Sequence, residues 1–196
     1  MSPPPKPSVT VRRRRLVLEN SKWRVFQDDI TGADGSEVDG YLFVAPQVER
    51  ADRVGGVTVL PVLRDGRIGL LRNYRHPLEL TAWEAAKGFL DPGETDLAGA
   101  ALRELREETG LVCDRARIEA AGTLGQEPST LAVKGALFIA HDCRKEATPH
   151  VDEPGLGELA FHTLDEALAL ADRGEIQDAA TLIALYRYAL KRTGRP

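Results

Sequence analysis

The sequence predicts an α/β sandwich carrying a small antiparallel sheet at its N-terminal end. Three observations lead there: many short β-type runs separated by turn signals, one well-capped amphipathic helix mid-chain, and further helical patterns confined to the C-terminal end. No internal repeat breaks this order. The 196 residues fit one compact domain with an extension, enough to bury a core without disulfides or structural metal.

Residues 1–10 include Pro3, Pro4, Pro5 and Pro7 and are expected to form an extended, disordered tail. Residues 11–50 form an N-terminal extension with three β-type runs, Val11 to Leu18, Trp23 to Asp28 and Tyr41 to Val48. The turn-rich stretch Thr31-Gly32-Ala33-Asp34-Gly35 separates the last two. Residues 51–196 make the main domain. It opens on two stronger strands, Gly56 to Leu63 and Ile68 to Tyr74, joined by the hairpin signal Arg64-Asp65-Gly66. A helix is expected from about Asp96 to Thr109, with Thr95 as its N-cap and Gly110 at the left-handed C-terminal position. Ile118 to Gly122, Ala136 to Ala140 and Glu158 to His162 read as strands, and Asp165 to Asp172 and Gln177 to Arg192 as closing helices.

Composition bounds the function. With 42% apolar and 29% charged residues the chain should fold as a soluble protein. Its formal charge of -4 gives no overall reason to bind nucleic acid or an anionic membrane, so any phosphate must be met by a local site. The one basic run, Arg12 to Arg15, lacks interleaved aromatics and reads more simply as a solvated strand end. The apolar stretch after it stops at Glu19 and Asn20, too short for a signal segment or membrane span. Cys113 and Cys143 show no CxxC spacing, which fits a reducing cytoplasm, and His76, His141, His150 and His162 show no zinc-type spacing. A cytoplasmic protein is therefore expected.

The mid-chain helix carries the chemistry. On a wheel of about 100° per residue, Leu97, Ala98, Ala101, Leu102 and Leu105 fill one arc, and Glu104, Glu107 and Glu108 fill a second that overlaps its edge. Glu104 and Glu108 stand one turn apart beside the apolar stripe, where crowded like charges call for a cation. Ordinary surface glutamates supported by Arg103–Glu107 pairing would leave the preceding turn, Gly88-Phe89-Leu90-Asp91-Pro92-Gly93-Glu94, unexplained. A glycine-rich loop, a helix and four glutamates suit a hard cation: Mg2+, with Mn2+ as the alternative.

Gly88 to Leu111 closely resembles the Nudix box, through Gly88, Glu94 and the run Arg103-Glu104-Leu105-Arg106-Glu107-Glu108-Thr109-Gly110-Leu111. Eight residues, Thr95 to Leu102, separate Glu94 from Arg103, one more than the family pattern has. The resemblance implies a Nudix-type α/β/α sandwich with a mixed sheet. It also implies that Glu104 and Glu108 are the principal metal ligands, that Glu107 assists, and that the Lys87 carbonyl contributes. Gly88, Glu94 and Arg103 then support the box, with Arg103 orienting Glu107 or Glu94. The implied reaction is attack by water on a phosphoanhydride phosphorus, with no covalent nucleophile.

Two further segments, Leu70-Leu71-Arg72-Asn73-Tyr74-Arg75-His76-Pro77 and Trp83-Glu84-Ala85-Ala86-Lys87-Gly88, resemble ADP-ribose pyrophosphatases. That likeness implies cleavage of ADP-ribose to AMP and ribose 5-phosphate. Arg75 is then a candidate phosphate donor, Trp83 a wall of the nucleoside pocket, and Glu84 a partner for a ribose hydroxyl or an outer metal. The plainer readings are a surface arginine, a core tryptophan and a structural glutamate. Ala86 and Lys87 stand where that group has Pro-Ala, which keeps dinucleoside polyphosphates, NADH and nucleotide sugars open as substrates. A non-catalytic, nucleotide-sensing domain is the alternative from another class, and the three helix glutamates argue against it. Gln126-Glu127-Pro128-Ser129 falls near a family proline but is also a common turn. The family likeness further implies a homodimer through residues 11–50. It also implies a general base in the loop from Cys143 to Gly157, where Glu153 is favoured over Glu146, Asp152 and Glu158; the plainer reading is that these are solvated loop acids and the box supplies its own base.

Overall fold

The computed structural model describes residues 8–47, 50–146, 148–149 and 154–194. Most of the proline-rich tail and Glu153 lie outside them. The chain divides into two compact units, residues 1–55 with 127–133, and residues 56–126 with 134–196.

The smaller unit is an antiparallel sheet of β1 (Val9–Glu19), β2 (Trp23–Gly32) and β3 (Glu37–Pro46), in that order. β1 begins inside the expected tail because Val9 and Thr10 pair with Gly32 and Thr31. Pairing likewise carries β2 and β3 into the polar stretch read as loop, leaving a tight turn with Gly35 at φ 82°. Three of the four arginines of the basic run are paired within this sheet. Arg12 bonds Asp39 at 2.7 Å, Arg14 forks onto Asp28 at 2.8 and 2.7 Å, and Arg15 bonds Asp29 at 2.9 Å. The Arg14 guanidinium also lies over the Phe43 ring, which stacks on Phe26. Residues 127–133 run along β3, with Val44 N–H donating to Thr130 O and Ala132 N–H to Val44 O, both at 2.8 Å.

The larger unit holds a mixed eight-stranded sheet. Its strands are β4 (Val54–Leu63), β5 (Ile68–Arg75), β6 (Leu80–Glu84), β7 (Ala86–Phe89), β8 (Leu111–Val112), β9 (Ile118–Leu124), β10 (Lys134–Lys145) and β11 (Leu159–His162). The main order is β11-β5-β4-β10-β8, with β6 on β5, β7 on β4 and β9 on β10. The Asp65-Gly66 hairpin forms as its sequence predicts, with Gly66 at φ 86° and Leu63 N–H bonded to Arg67 O at 2.8 Å.

Three helices complete the unit: α1 (Leu97–Thr109), α2 (Leu164–Asp172) and α3 (Ala179–Arg192). α1 is capped by Asp96, one residue later than expected, because the Asp96 carboxylate accepts from Gly99 N–H at 3.1 Å. Gly110 closes it at φ 68°. Thr163 and Glu166 form a capping box on α2, and Asp178 caps α3. Leu60, Ile68, Leu70, Leu137 and Ile139 from the sheet pack with Ala167, Leu170, Ala184 and Leu185 from α2 and α3. Each large aliphatic side chain buried there contributes roughly 1.5–3 kcal/mol. α1 buries Ala100, Ala101 and Leu105 separately, against β7, β8 and β10. Among the described residues no helix is long and apolar enough to cross a membrane.

Candidate active site

The helix wheel places Glu104 and Glu108 at the rim of the core, and they are only 8% and 9% exposed. Glu107, on the outer flank, has a side chain 47% exposed. Glu108 accepts the Lys87 backbone N–H at 3.0 Å, tying the last turn of α1 to β7. The next residue is Gly88, where a Cβ would lie 2.1 Å from the Glu104 carboxylate, so no larger residue fits without moving that acid. Gly88 is itself backed by Gly56, whose added Cβ would meet Gly88 O at 2.8 Å.

One guanidinium organises the acids. Arg103 Nη1 donates to Glu104 at 2.7 Å and Glu107 at 3.1 Å, while Nη2 donates to Glu94 and to Phe89 O, both at 3.2 Å. Glu94 also accepts Asp91 N–H at 3.0 Å, which folds the loop back over the helix. The additional residue before Arg103 is therefore absorbed without separating Glu94 from Arg103. Burial pushes the Glu104 carboxyl above its ordinary value; Arg103 opposes this, while Glu107 and Asp91 add to it. Burial would lower the Arg103 guanidinium, but Glu104 and Glu94 hold it above its usual value.

These residues suit a divalent cation by donor chemistry: hard carboxylate oxygens, one helical turn apart, beside a residue with no side chain. Among the described residues no three acidic side chains converge as a ready ligand set. Glu104 and Glu107 are turned onto Arg103, and Glu108 onto Lys87 N–H. Among the described residues, the cation bonded to Glu104 and Glu107 is Arg103.

A second charged cluster lies beside the box. Arg75 Nε and Nη2 donate to Glu84 at 3.0 and 2.6 Å, and Lys87 Nζ bonds Glu84 at 2.9 Å and Asp178 at 2.8 Å. In the β5–β6 ladder Leu71 faces Glu84 and Arg75 faces Leu80, so Arg75 and Glu84 share one sheet face. Trp83 pairs with Arg72 and takes the other face, in the α2/α3 core and edge-on to His162. The structure brings Arg75, Glu84 and Lys87 together, and does not bring Trp83 to them.

Asp178 is the member that sequence reasoning missed. Its signal was the N-cap pattern ahead of Ala179-Ala180-Thr181: the carboxylate accepts from Thr181 N–H at 2.8 Å and Thr181 Oγ1 at 2.6 Å. Thr181 in turn accepts Ala85 N–H at 3.0 Å, joining α3 to the link between β6 and β7. Burial would raise the Asp178 carboxyl, but Lys87 and Thr181 outweigh it and hold it below the usual range. Asp178→Ala should lower unfolding stability by about 2–4 kcal/mol, through the lost cap and a half-partnered Lys87. Denaturant titration checks this, with Asp178→Asn expected to lose less; wild-type stability in the alanine variant would contradict it.

The loop proposed to carry the base starts later than expected, because β10 continues to Lys145. Its returning limb is fastened along β5. Tyr74 N–H donates to Gly155 O at 2.8 Å, Gly157 N–H to Asn73 Oδ1 at 3.2 Å, and Arg72 N–H to Glu158 O at 3.0 Å. Glu146 is bonded by Arg144 at 2.7 Å. Pro128 falls in the segment along β3, within the smaller unit.

A family model for the NUDIX domain matches residues 52–185. A methanol dehydrogenase activator of Bacillus methanolicus is 34% identical over 132 residues, 67% of this chain and 70% of that protein. An ADP-ribose pyrophosphatase of Bacillus subtilis (strain 168) is 34% identical over 139 residues, 70% of this chain and 73% of that one. The crystal structure of an ADP compounds hydrolase superposes with a TM-score of 0.78 at 23% identity, covering 99% of this chain and 100% of that chain, a likeness of fold. Nudix hydrolases generally need divalent metal ions. The chain belongs to the Nudix hydrolase family, within which it resembles the ADP-ribose pyrophosphatases.

Proposed function

We propose that the protein hydrolyses the pyrophosphate bond of ADP-ribose, giving AMP and ribose 5-phosphate, with Mg2+ or Mn2+ as cofactor. The observation that carries this reading is the pair Glu104 and Glu108, buried one turn apart beside Gly88 and the Lys87 main chain. Likeness to a curated ADP-ribose pyrophosphatase supports the substrate.

In this reading Glu104 and Glu108 supply the principal metal oxygens, Glu107 assists and the Lys87 carbonyl contributes. A divalent ion held there would neutralise phosphate charge and favour deprotonation of the attacking water. Arg103 holds Glu94, Glu104 and Glu107 together against their mutual repulsion. Arg75 offers paired N–H donors to a phosphate, and Glu84, which now anchors Arg75, accepts from a ribose hydroxyl. Trp83 keeps its core role. Glu153 takes the proton of the attacking water, and Glu153→Gln should cost about a hundredfold to ten-thousandfold in turnover. Loss of less than about tenfold, with far greater loss in Asp152→Asn or Glu158→Gln, would reassign the base.

The substrate is tested by comparing kcat/KM for ADP-ribose, NADH, diadenosine polyphosphates and GDP-mannose at saturating Mg2+. ADP-ribose should rank first. A higher value for another compound would move the assignment, and tight nucleotide binding without turnover of any would favour a sensing domain.

The same reading includes a homodimer through β1–β3. In its support, β1 is exposed along nearly its whole length, and Val11, Leu16, Val17, Leu18, Val38 and Leu42 present apolar surface to solvent. Light scattering at micromolar concentration should give twice the chain mass; a fully active monomer would contradict it. A cytoplasmic location is proposed because the chain has only two cysteines, too few for a disulfide framework and without CxxC spacing.

A further inference from the structure

Those two cysteines, thirty positions apart in the chain, adjoin one strand pair: Cys143 lies in β10 and Cys113 directly follows β8. β8 and β10 are antiparallel, with Leu111 opposite Lys145 and Val112 opposite Arg144. One step further along the same register sets Cys113 opposite Cys143. Glu146 N–H donates to Gly110 O at 3.2 Å, which fixes the phase of the ladder: the Gly110/Glu146 and Val112/Arg144 positions are hydrogen-bonded, and the positions between and beyond them are not. Cys113 and Cys143 therefore occupy a non-hydrogen-bonded pair, where opposed Cα atoms lie about 4.5 Å apart, inside the span a disulfide bridges.

The side chains agree with the register. Cys113 Sγ lies 3.2 Å from His141 O, two residues from Cys143 along β10, and each thiol is near enough to shift the ionisation of the other. Cys143 is buried, with its thiol bonded to Ala140 O at 3.2 Å, while Cys113 is partly exposed beside an open groove lined by Leu102, Arg106, Val112 and Thr148. We propose that Cys113 and Cys143 are a reversible disulfide site, in which Cys113 reacts first with a low-molecular-weight disulfide and Cys143 resolves the mixed disulfide.

The steps balance. Cys113 loses its proton to solvent and its thiolate attacks one sulfur of the small disulfide, expelling one thiolate and forming a mixed disulfide. The Cys143 thiol then loses its proton, attacks Cys113 Sγ and expels the second small thiolate. The protein loses two hydrogens and two electrons, and the small disulfide is reduced to two thiols. The order follows from access, and from ionisation: burial and the neighbouring Cys113 push the Cys143 thiol up to about 12, whereas at Cys113, also raised by burial, the neighbouring Cys143 partly offsets the rise. The new bond fastens the chain three residues beyond the Gly110 cap of α1 to β10, cross-linking the seat of the acidic helix.

The test is to incubate the folded full chain with oxidised glutathione, without denaturant, and measure intact mass and thermal midpoint before and after reduction. The wild type should lose two hydrogen masses, retain no titratable thiol and unfold roughly 5–10 °C higher, since a loop of this length is closed; dithiothreitol should reverse all three. Cys143→Ser, and Cys143→Ala as a second variant, should stop at one bound glutathione on Cys113. A wild type that keeps both thiols, stops at the mixed disulfide, cross-links between chains or forms the bond only after denaturation would overturn the proposal.

Discussion

Glu104→Gln and Glu108→Gln are each expected to lower turnover on ADP-ribose at least about a hundredfold at saturating Mg2+, since each removes the charge of a proposed ligand oxygen from the α1 rim. The fold should survive. Glutamine keeps the shape of the side chain, and at position 104 it removes the repulsion from Glu107 and Asp91 while giving up the ion pair to Arg103. These changes oppose each other, so the metal-free thermal midpoint should stay within about 3 °C of wild type. Steady-state kinetics beside a melting curve separates lost chemistry from lost structure. Wild-type turnover in either variant would remove that glutamate from the ligand set.

Gly88→Ala should have an effect of the same order by a different route. Its Cβ would sit 2.1 Å from both the carboxyl carbon and one oxygen of Glu104, so the acid must swing away from Arg103 or the strand must shift. The strand has little room: β7 pairs with β4 through Val57–Gly88 and Thr58–Lys87, and Gly56 leaves no slack behind Gly88. A displacement near 1 Å at a catalytic group costs about a hundredfold in rate, and overpacking costs about 1–3 kcal/mol in stability. Because the substitution acts through Glu104, adding it to Glu104→Gln should lower turnover little further. Near-wild-type activity in Gly88→Ala, or full additivity in the double variant, would show that the close approach does not matter.

What was legible in the sequence was local. The helix, its glycine stop and the arc of three glutamates all follow from spacing within a few turns. The cap moved from Thr95 to Asp96 because both residue types cap well and only the geometry of the loop selects one. The Asp178 bond to Lys87 and the close approach at Gly56 were out of reach for another reason: they depend on partners 91 and 32 positions away, which no local cap pattern or periodicity encodes. Arg75 and Glu84 were named from resemblance, and their bond to each other appears only when β5 and β6 pair. That Trp83 and Glu84 take opposite faces was implicit in their adjacency within a strand. The Arg12 to Arg15 run lost its ambiguity only when β2 and β3 brought Asp28, Asp29 and Asp39 beside it.

The proposed reaction is a metal-dependent cleavage of ADP-ribose at its pyrophosphate. Its most direct test strips the full chain of metal with a chelator, adds ADP-ribose, and follows products by chromatography as Mg2+ is titrated in. The expected result is no turnover before the titration, then AMP and ribose 5-phosphate appearing in equal amounts as Mg2+ rises. Cleavage that persists in excess chelator, or ADP-ribose left intact at saturating Mg2+ and Mn2+, would contradict it.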